Sequence, residues 1–180
     1  MHVNISMTIR RYIAAGVAVI IIFILQSTVF KAISLANITP NLLVIFTSSI
    51  GFMRGRKEGM FVGILSGLLI DLFYCDVFGV NVLIYMYVGY INGIFNKNFL
   101  PEDVRMPLII IGASDLIYCG AVYVLRFLFR SKLSLGYYFI HIMMPEMIYT
   151  ILVSIIMFKI IYSVISVFDK IEKRSSKKFV

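Results

Sequence analysis

The chain has 180 residues, 61% of them hydrophobic, with a mean hydropathy of +0.96 and a net charge of +8. A soluble domain of this size carries about 45–50% apolar residues and still turns much of its surface to water, so a water-soluble fold is excluded. Nucleic-acid binding is not expected either. The basic residues sit in short clusters between apolar runs, with no aromatic–basic reading motif beside them.

Arg10 and Arg11 precede the first apolar run, 12–30, which turns polar only near its end at Gln26, Ser27 and Thr28. It exceeds the roughly 7–15 residues of a signal-peptide core, so an uncleaved transmembrane helix is expected. The second span, 38–53, opens at Thr39-Pro40-Asn41, a helix-start pattern. Its apolar part, 41–53, falls below the roughly 17 residues that cross a bilayer comfortably. It either tucks among its neighbours or is re-entrant. Arg54-Gly55-Arg56-Lys57-Glu58 forms a charged hinge, and the third span, 59–73, carries Asp71. The fourth span is 79–95. A polar loop leads to the fifth, 107–125, which begins at Pro107 and contains Asp115.

The last apolar region, 133–168, is long for a single span, and Pro145-Glu146 divides it. Proline suits a first helical turn, and a carboxylate there complements the positive helix end. The final span is expected at 145–167, with 135–144 (Tyr137, Tyr138, His141) as an interfacial or re-entrant approach. A continuous helix kinked at Pro145 is the competing description. A basic tail, 169–180, closes the chain.

These spans predict a single all-α integral membrane domain of six transmembrane helices. Arg10, Arg11, Arg54, Arg56, Lys57, Lys97, Arg105 and the tail cations then share one side. Lys31, Arg126, Arg130 and Lys132 face the other. The asymmetry predicts both termini in the cytoplasm, with the basic loops against anionic lipid.

Glycines recur every fourth residue at Gly51, Gly55, Gly59, Gly63 and Gly67, and Asp71 continues the spacing. Such a track lets a second helix approach closely, either inside the fold or as a docking face for another membrane protein. Asp71 and Asp115 are carboxylates in apolar spans, which face a protein interior or a watery cavity. Each is read as a hydrogen-bonded or protonated structural group, as a polar lock between spans, or as the lining of a solute pocket. Paired aspartates also serve intramembrane proteases, but Leu69-Ile70-Asp71-Leu72 lacks the GxGD pattern, so catalysis is not expected. His2 and His141 are isolated, and Cys75 and Cys119 have no CxxC or His partner spacing. No metal, cofactor or disulfide is therefore expected.

Taken in order, the central residues resemble the MreD family. The series runs Pro40-Asn41-Leu42-Leu43, Arg54-Gly55, the Gly59/Gly63/Gly67 track, Asp71-Leu72, Gly79-Val80-Asn81, Tyr85 and Gly89-Tyr90, and Pro145 resembles the proline that opens the family's last span. Tyr149-Thr150 departs from the pattern, since many members carry Asn there. The resemblance implies a nonenzymatic subunit of the cell-elongation machinery in the bacterial cytoplasmic (inner) membrane. It implies MreC as first partner, with RodA, a class B penicillin-binding protein and MreB as complex members. On that reading the glycine face and the grooves between spans receive a partner helix. The six-helix plan is also similar to the S components of energy-coupling-factor vitamin transporters. That alternative function, solute binding, would draw on Asp71, Tyr74, Asn81 and Tyr85.

Overall fold

In the computed structural model the backbone is described for residues 2–34, 38–74, 78–98, 105–130 and 135–177. Side-chain surroundings are described for 9–34, 38–74, 78–97, 105–125 and 136–168. The side chains of Cys75, Arg126, Arg130, Lys132 and the basic tail lie outside these residues, as does that of His2.

The described residues form helices joined by short connections. They are α1 (His2–Leu25), α2 (Leu42–Arg54), α3 (Arg56–Tyr74), α4 (Val80–Ile94), α5 (Arg105–Arg130), a single turn α6 (Leu135–Tyr138) and α7 (Met144–Lys177). α1 continues through a π turn, Gln26–Phe30, and α4 ends in a 3-10 turn, Phe95–Asn98. Among the described residues three stretches are long and apolar enough to cross a membrane: Ile9–Phe30, Arg105–Leu125 and Gly136–Phe168. The last runs straight through Pro145, so the continuous helix is the form adopted, and the interfacial segment expected at 135–144 belongs to it. A π turn, Phe139–Met143, stands just ahead of the proline. It re-pairs backbone groups in the turn where the proline ring and its missing N–H disturb the regular ladder.

α2 sits in the middle. Every residue from Leu42 to Phe52 is buried, among them Thr47, Ser48 and Ser49. A helix that is apolar on all sides belongs inside a protein or a bilayer, and α2 is enclosed by α1, α3, α4, α5 and α7. Its 13 residues reach about 20 Å at 1.5 Å per residue, against a hydrocarbon core of about 30 Å. Enclosure by other helices is what lets so short a segment lie in an apolar region. Both ends are closed by side chains or turns. Asn41 accepts from the Val44 N–H at its start, and the Gly55 N–H donates to Gly51 O at its end. Gly55 has φ 93°, and α3 starts at the next residue, so the α2–α3 hinge is one residue long in a conformation that glycine adopts without strain.

α3 and α4 bury matching stripes. On α3 these are Gly59, Val62, Gly63, Ser66, Gly67, Ile70 and Asp71. On α4 they are Asn81, Ile84, Tyr85, Val88, Gly89, Asn92 and Gly93. The same i, i+3, i+4, i+7, i+8 spacing on two antiparallel helices gives each one face for the other and for α2. The outer faces of α1, α5 and α7 are apolar and open. Ile13, Ile20 and Ile24, then Ile109, Ile117 and Val124, then Leu152, Ile156 and Ile160 are each at least half exposed. Facing water, such stripes would be a severe liability; facing lipid tails, they are solvated.

Candidate functional site

The glycine track lies inside the fold, pressed on the backbone of α4. A Cβ placed at Gly59 would meet Gly89 O at 2.5 Å and Gly51 Cα at 2.7 Å. At Gly63 it would strike the Tyr85 carbonyl, and at Gly67 the backbone of Asn81 and Val82. The approach is mutual, since a Cβ at Gly89 would strike Gly59 and one at Gly93 would strike Arg56. α4 therefore fills this groove within the chain itself, and a second helix has no room on it. Gly55, next in the series, serves the hinge.

Asp71 continues the track and meets the start of α4. The Gly79 and Val82 N–H groups donate to its Oδ2 at 2.9 and 3.0 Å. The Asn81 N–H and side-chain amide donate to its Oδ1 at 3.2 and 2.8 Å. Gly79, at φ 99°, occupies the cap position and has no side chain to offer. A carboxylate reaching across from α3 thus does the work of a capping residue, where the helix dipole favours negative charge.

From Asn81 the polar contacts run inward. Its Oδ1 accepts from the Tyr118 hydroxyl at 3.3 Å, and the Tyr118 ring packs on Tyr85 at 5.0 Å between centroids. The buried Tyr85 hydroxyl donates to Asn41 Oδ1 at 2.9 Å. The Asn41 N–H donates to the Thr150 hydroxyl on α7, and the Leu43 N–H donates to Gln26 in the π turn that continues α1. One spine of hydrogen bonds therefore ties the start of α2 to α1, α4 and α7. Thr150 stands where the family resemblance predicts Asn, and its hydroxyl carries the polar contact. A second spine crosses the lower half of α2, where the Asn92 amide donates to Ser48 at 3.2 Å and Ser114 at 2.8 Å. The four residues a solute pocket would use are engaged elsewhere or exposed. Asp71 and Asn81 hold each other, Tyr85 holds Asn41, and Tyr74 lies largely exposed.

The hinge end is basic. Arg54 pairs with Glu58 at 3.2 Å and Arg11 with the same carboxylate at 3.8 Å. The Arg56 guanidinium lies over the Tyr90 ring, 5.6 Å from its centroid. Arg54, Arg56, Lys57, Glu58, Asn96 and Lys97 line an open cavity of about 490 Å³.

Asp115 behaves unlike Asp71. It is fully buried on α5, and neither carboxylate oxygen has a hydrogen-bond partner. The nearby Thr150 hydroxyl falls short of hydrogen-bond geometry with it. Its other neighbours are Cys119, one turn along α5, and Glu146 in the first turn of α7, with ligating atoms of all three within 4.8 Å of one another. Sequence reasoning missed this cluster because Glu146 has a sufficient local explanation as a helix-start carboxylate. The i, i+4 spacing of Asp115 and Cys119 was the available signal.

A family model described as rod shape-determining protein MreD matches residues 9–168. No curated protein and no solved structure gives a significant match. The matched stretch holds the glycine-locked helices, the Asp71 cap and the Asn41–Tyr85 spine. With its open apolar helix faces, the chain is a membrane protein of bacterial shape determination, and it belongs to the MreD family.

Proposed function

We propose that the chain is a nonenzymatic scaffold of the cell-elongation complex, in which MreC is the first partner and RodA, a class B penicillin-binding protein and MreB are complex members. The observation that carries this reading is that the family-motif residues satisfy one another. Asp71, Asn81, Tyr85 and Asn41 close their hydrogen bonds inside the fold, and the glycines lock backbone to backbone. A unit wired in this way is a rigid platform, with its polar groups spent on internal order.

In this reading the chain is one domain that threads the cytoplasmic membrane six times, with α2, α3 and α4 completing the three longer spans. Both termini and the basic hinge cavity face the cytoplasm, where Arg54, Arg56, Lys57 and Lys97 meet anionic lipid. Because α4 occupies the glycine track, a partner helix docks on the open faces of α1, α5 or α7.

Membrane pull-down of the tagged chain tests the assignment. Recovery of MreC or the RodA complex is expected, whereas recovery of an ATPase-bearing transporter module would overturn it. Photo-crosslinking residues at Ile13, Ile117 and Ile156 should capture MreC from at least one face; silence at all three would remove the docking reading. A Lys57→Cys variant should resist a membrane-impermeant thiol reagent applied from outside, and ready labelling would overturn the orientation.

A further inference from the structure

The α5–α7 contact brings together three groups that bind metals. Asp115 is wholly buried with both oxygens unpartnered, Cys119 is buried beside it, and Glu146 reaches in, half-buried, from α7. Their ligating atoms lie within 4.8 Å of one another. We infer that Asp115, Cys119 and Glu146 form a binding site for a thiophilic divalent cation, Zn²⁺ foremost, that staples α5 to α7.

The chemistry of the donor set selects the ion. Zn²⁺ takes thiolate at about 2.3 Å and carboxylate oxygen at about 2.0–2.2 Å, which places its ligand atoms about 3.5 Å apart. The three atoms, within 4.8 Å of one another, close to that spacing on binding. Mg²⁺ and Ca²⁺ require larger, all-oxygen shells, and the sulfur disfavours both. Charge argues the same way. An unpaired carboxylate in an apolar interior is strongly unfavourable, and a divalent ion shared with Glu146 removes that cost for Asp115. Binding releases to solvent the protons held by the thiol and any protonated carboxyl, so affinity falls as pH is lowered. The partly exposed Glu146 provides the way in. The Thr150 hydroxyl beside Asp115 accepts from the Asn41 N–H, so an ion here would hold α7 next to that spine and stiffen its attachment to the centre of the fold.

The test uses the full chain purified in detergent, stripped with chelator, loaded with Zn²⁺ or Co²⁺ and desalted. Wild type should retain one Zn²⁺ per chain, and bound Co²⁺ should show thiolate-to-metal charge-transfer absorption. Cys119→Ser should abolish that absorption, Asp115→Asn should abolish retention, and Cys75→Ser should leave both unchanged. Zn²⁺ should raise the thermal midpoint of wild type but not that of Asp115→Asn, with both variants checked for native elution. Retention that is equal in wild type and Asp115→Asn, or absorption that survives Cys119→Ser or is lost in Cys75→Ser, would overturn the site. Absence of retained metal in natively eluting wild type would also overturn it, leaving the three groups as a proton-holding cluster.

Discussion

The α3–α4 pair and the α5–α7 pair are both antiparallel contacts in the same small protein, yet they are built from different materials. Between α3 and α4 the contact is backbone on backbone, and the buried carboxylate, Asp71, is surrounded by four hydrogen-bond donations. Between α5 and α7 the contact is made by side chains. A Cβ at Gly112 would meet the end of the Ile151 side chain at 3.0 Å, and one at Gly120 would reach Met143 Cε at 4.0 Å. The buried carboxylate there, Asp115, has no hydrogen-bond partner. Hydrocarbon does not drive apolar helices together, so tight association inside a bilayer depends on close backbone approach and satisfied polar groups. The first pair has both and is the structural keel. The second has neither in full, and an interface left with that slack is where a ligand or a change of packing can act.

Glycine substitutions give the sharpest way to break this contrast. Gly63→Leu drives a branched side chain into the Tyr85 carbonyl, and backbone cannot yield as a flexible side chain can. The expected cost is about 3 kcal/mol or more, enough to remove a marginally stable fold. Little natively eluting protein should survive detergent extraction. Gly120→Ala, whose new methyl only touches Met143, should be tolerated, and the gain in helix propensity of about 1 kcal/mol offsets any crowding. Equal behaviour of the two variants in size-exclusion profiles would erase the distinction between the helix pairs. Loss of partner recovery in Gly63→Leu therefore reports on folding, so docking has to be tested on the outer faces.

The two aspartates come next in size. Asp71→Ala strands the Gly79, Asn81 and Val82 donors at the start of α4, and a destabilisation of about 3 kcal/mol is expected. Hydrogen exchange should quicken first at those amides. Asp115→Asn, in metal-free protein, removes a charge that accepts nothing and should leave stability unchanged or raise it. A large loss in Asp115→Asn with none in Asp71→Ala would invert the roles assigned to these residues.

Much of this is legible in the amino-acid sequence. Apolar runs separated by charge locate the helices, and the every-fourth glycines with Asp71 foretell a close helix contact. What the residues alone left open was which helix fills that contact, because a small-residue track is equally compatible with an internal or an external neighbour. The answer required the matching stripe from Asn81 to Gly93 to be placed opposite it. The place of α2 was hidden for a related reason. A mainly apolar stretch of 13 residues describes either a short span or an enclosed core helix, and enclosure depends on helices distant in the chain. Pro145 left two readings open, a helix start or a continuous helix, because its local rule fits both; a π turn lets the helix pass through it. In the Asp115 cluster only the i, i+4 pair of Asp115 and Cys119 shows as a spacing, and Glu146, about 30 positions on, lies beyond the reach of any spacing rule.

The smallest effect lies where the two regions meet, at Asn41. Its side-chain oxygen accepts from both Val44 N–H and the Tyr85 hydroxyl on α4, while its own N–H donates to Thr150 on α7. Tyr85→Phe removes one of two donors to that oxygen and leaves the ring packed on Tyr118, so about 1 kcal/mol is expected. Thr150→Val keeps the shape but strands the Asn41 N–H, at about 1–3 kcal/mol. Since both act on one residue that caps α2, the double variant should depart from additivity by at least about 0.5 kcal/mol in thermal or denaturant unfolding. Strict additivity would mean that α4 and α7 grip the start of α2 independently, and that the keel and the slack interface are not mechanically joined.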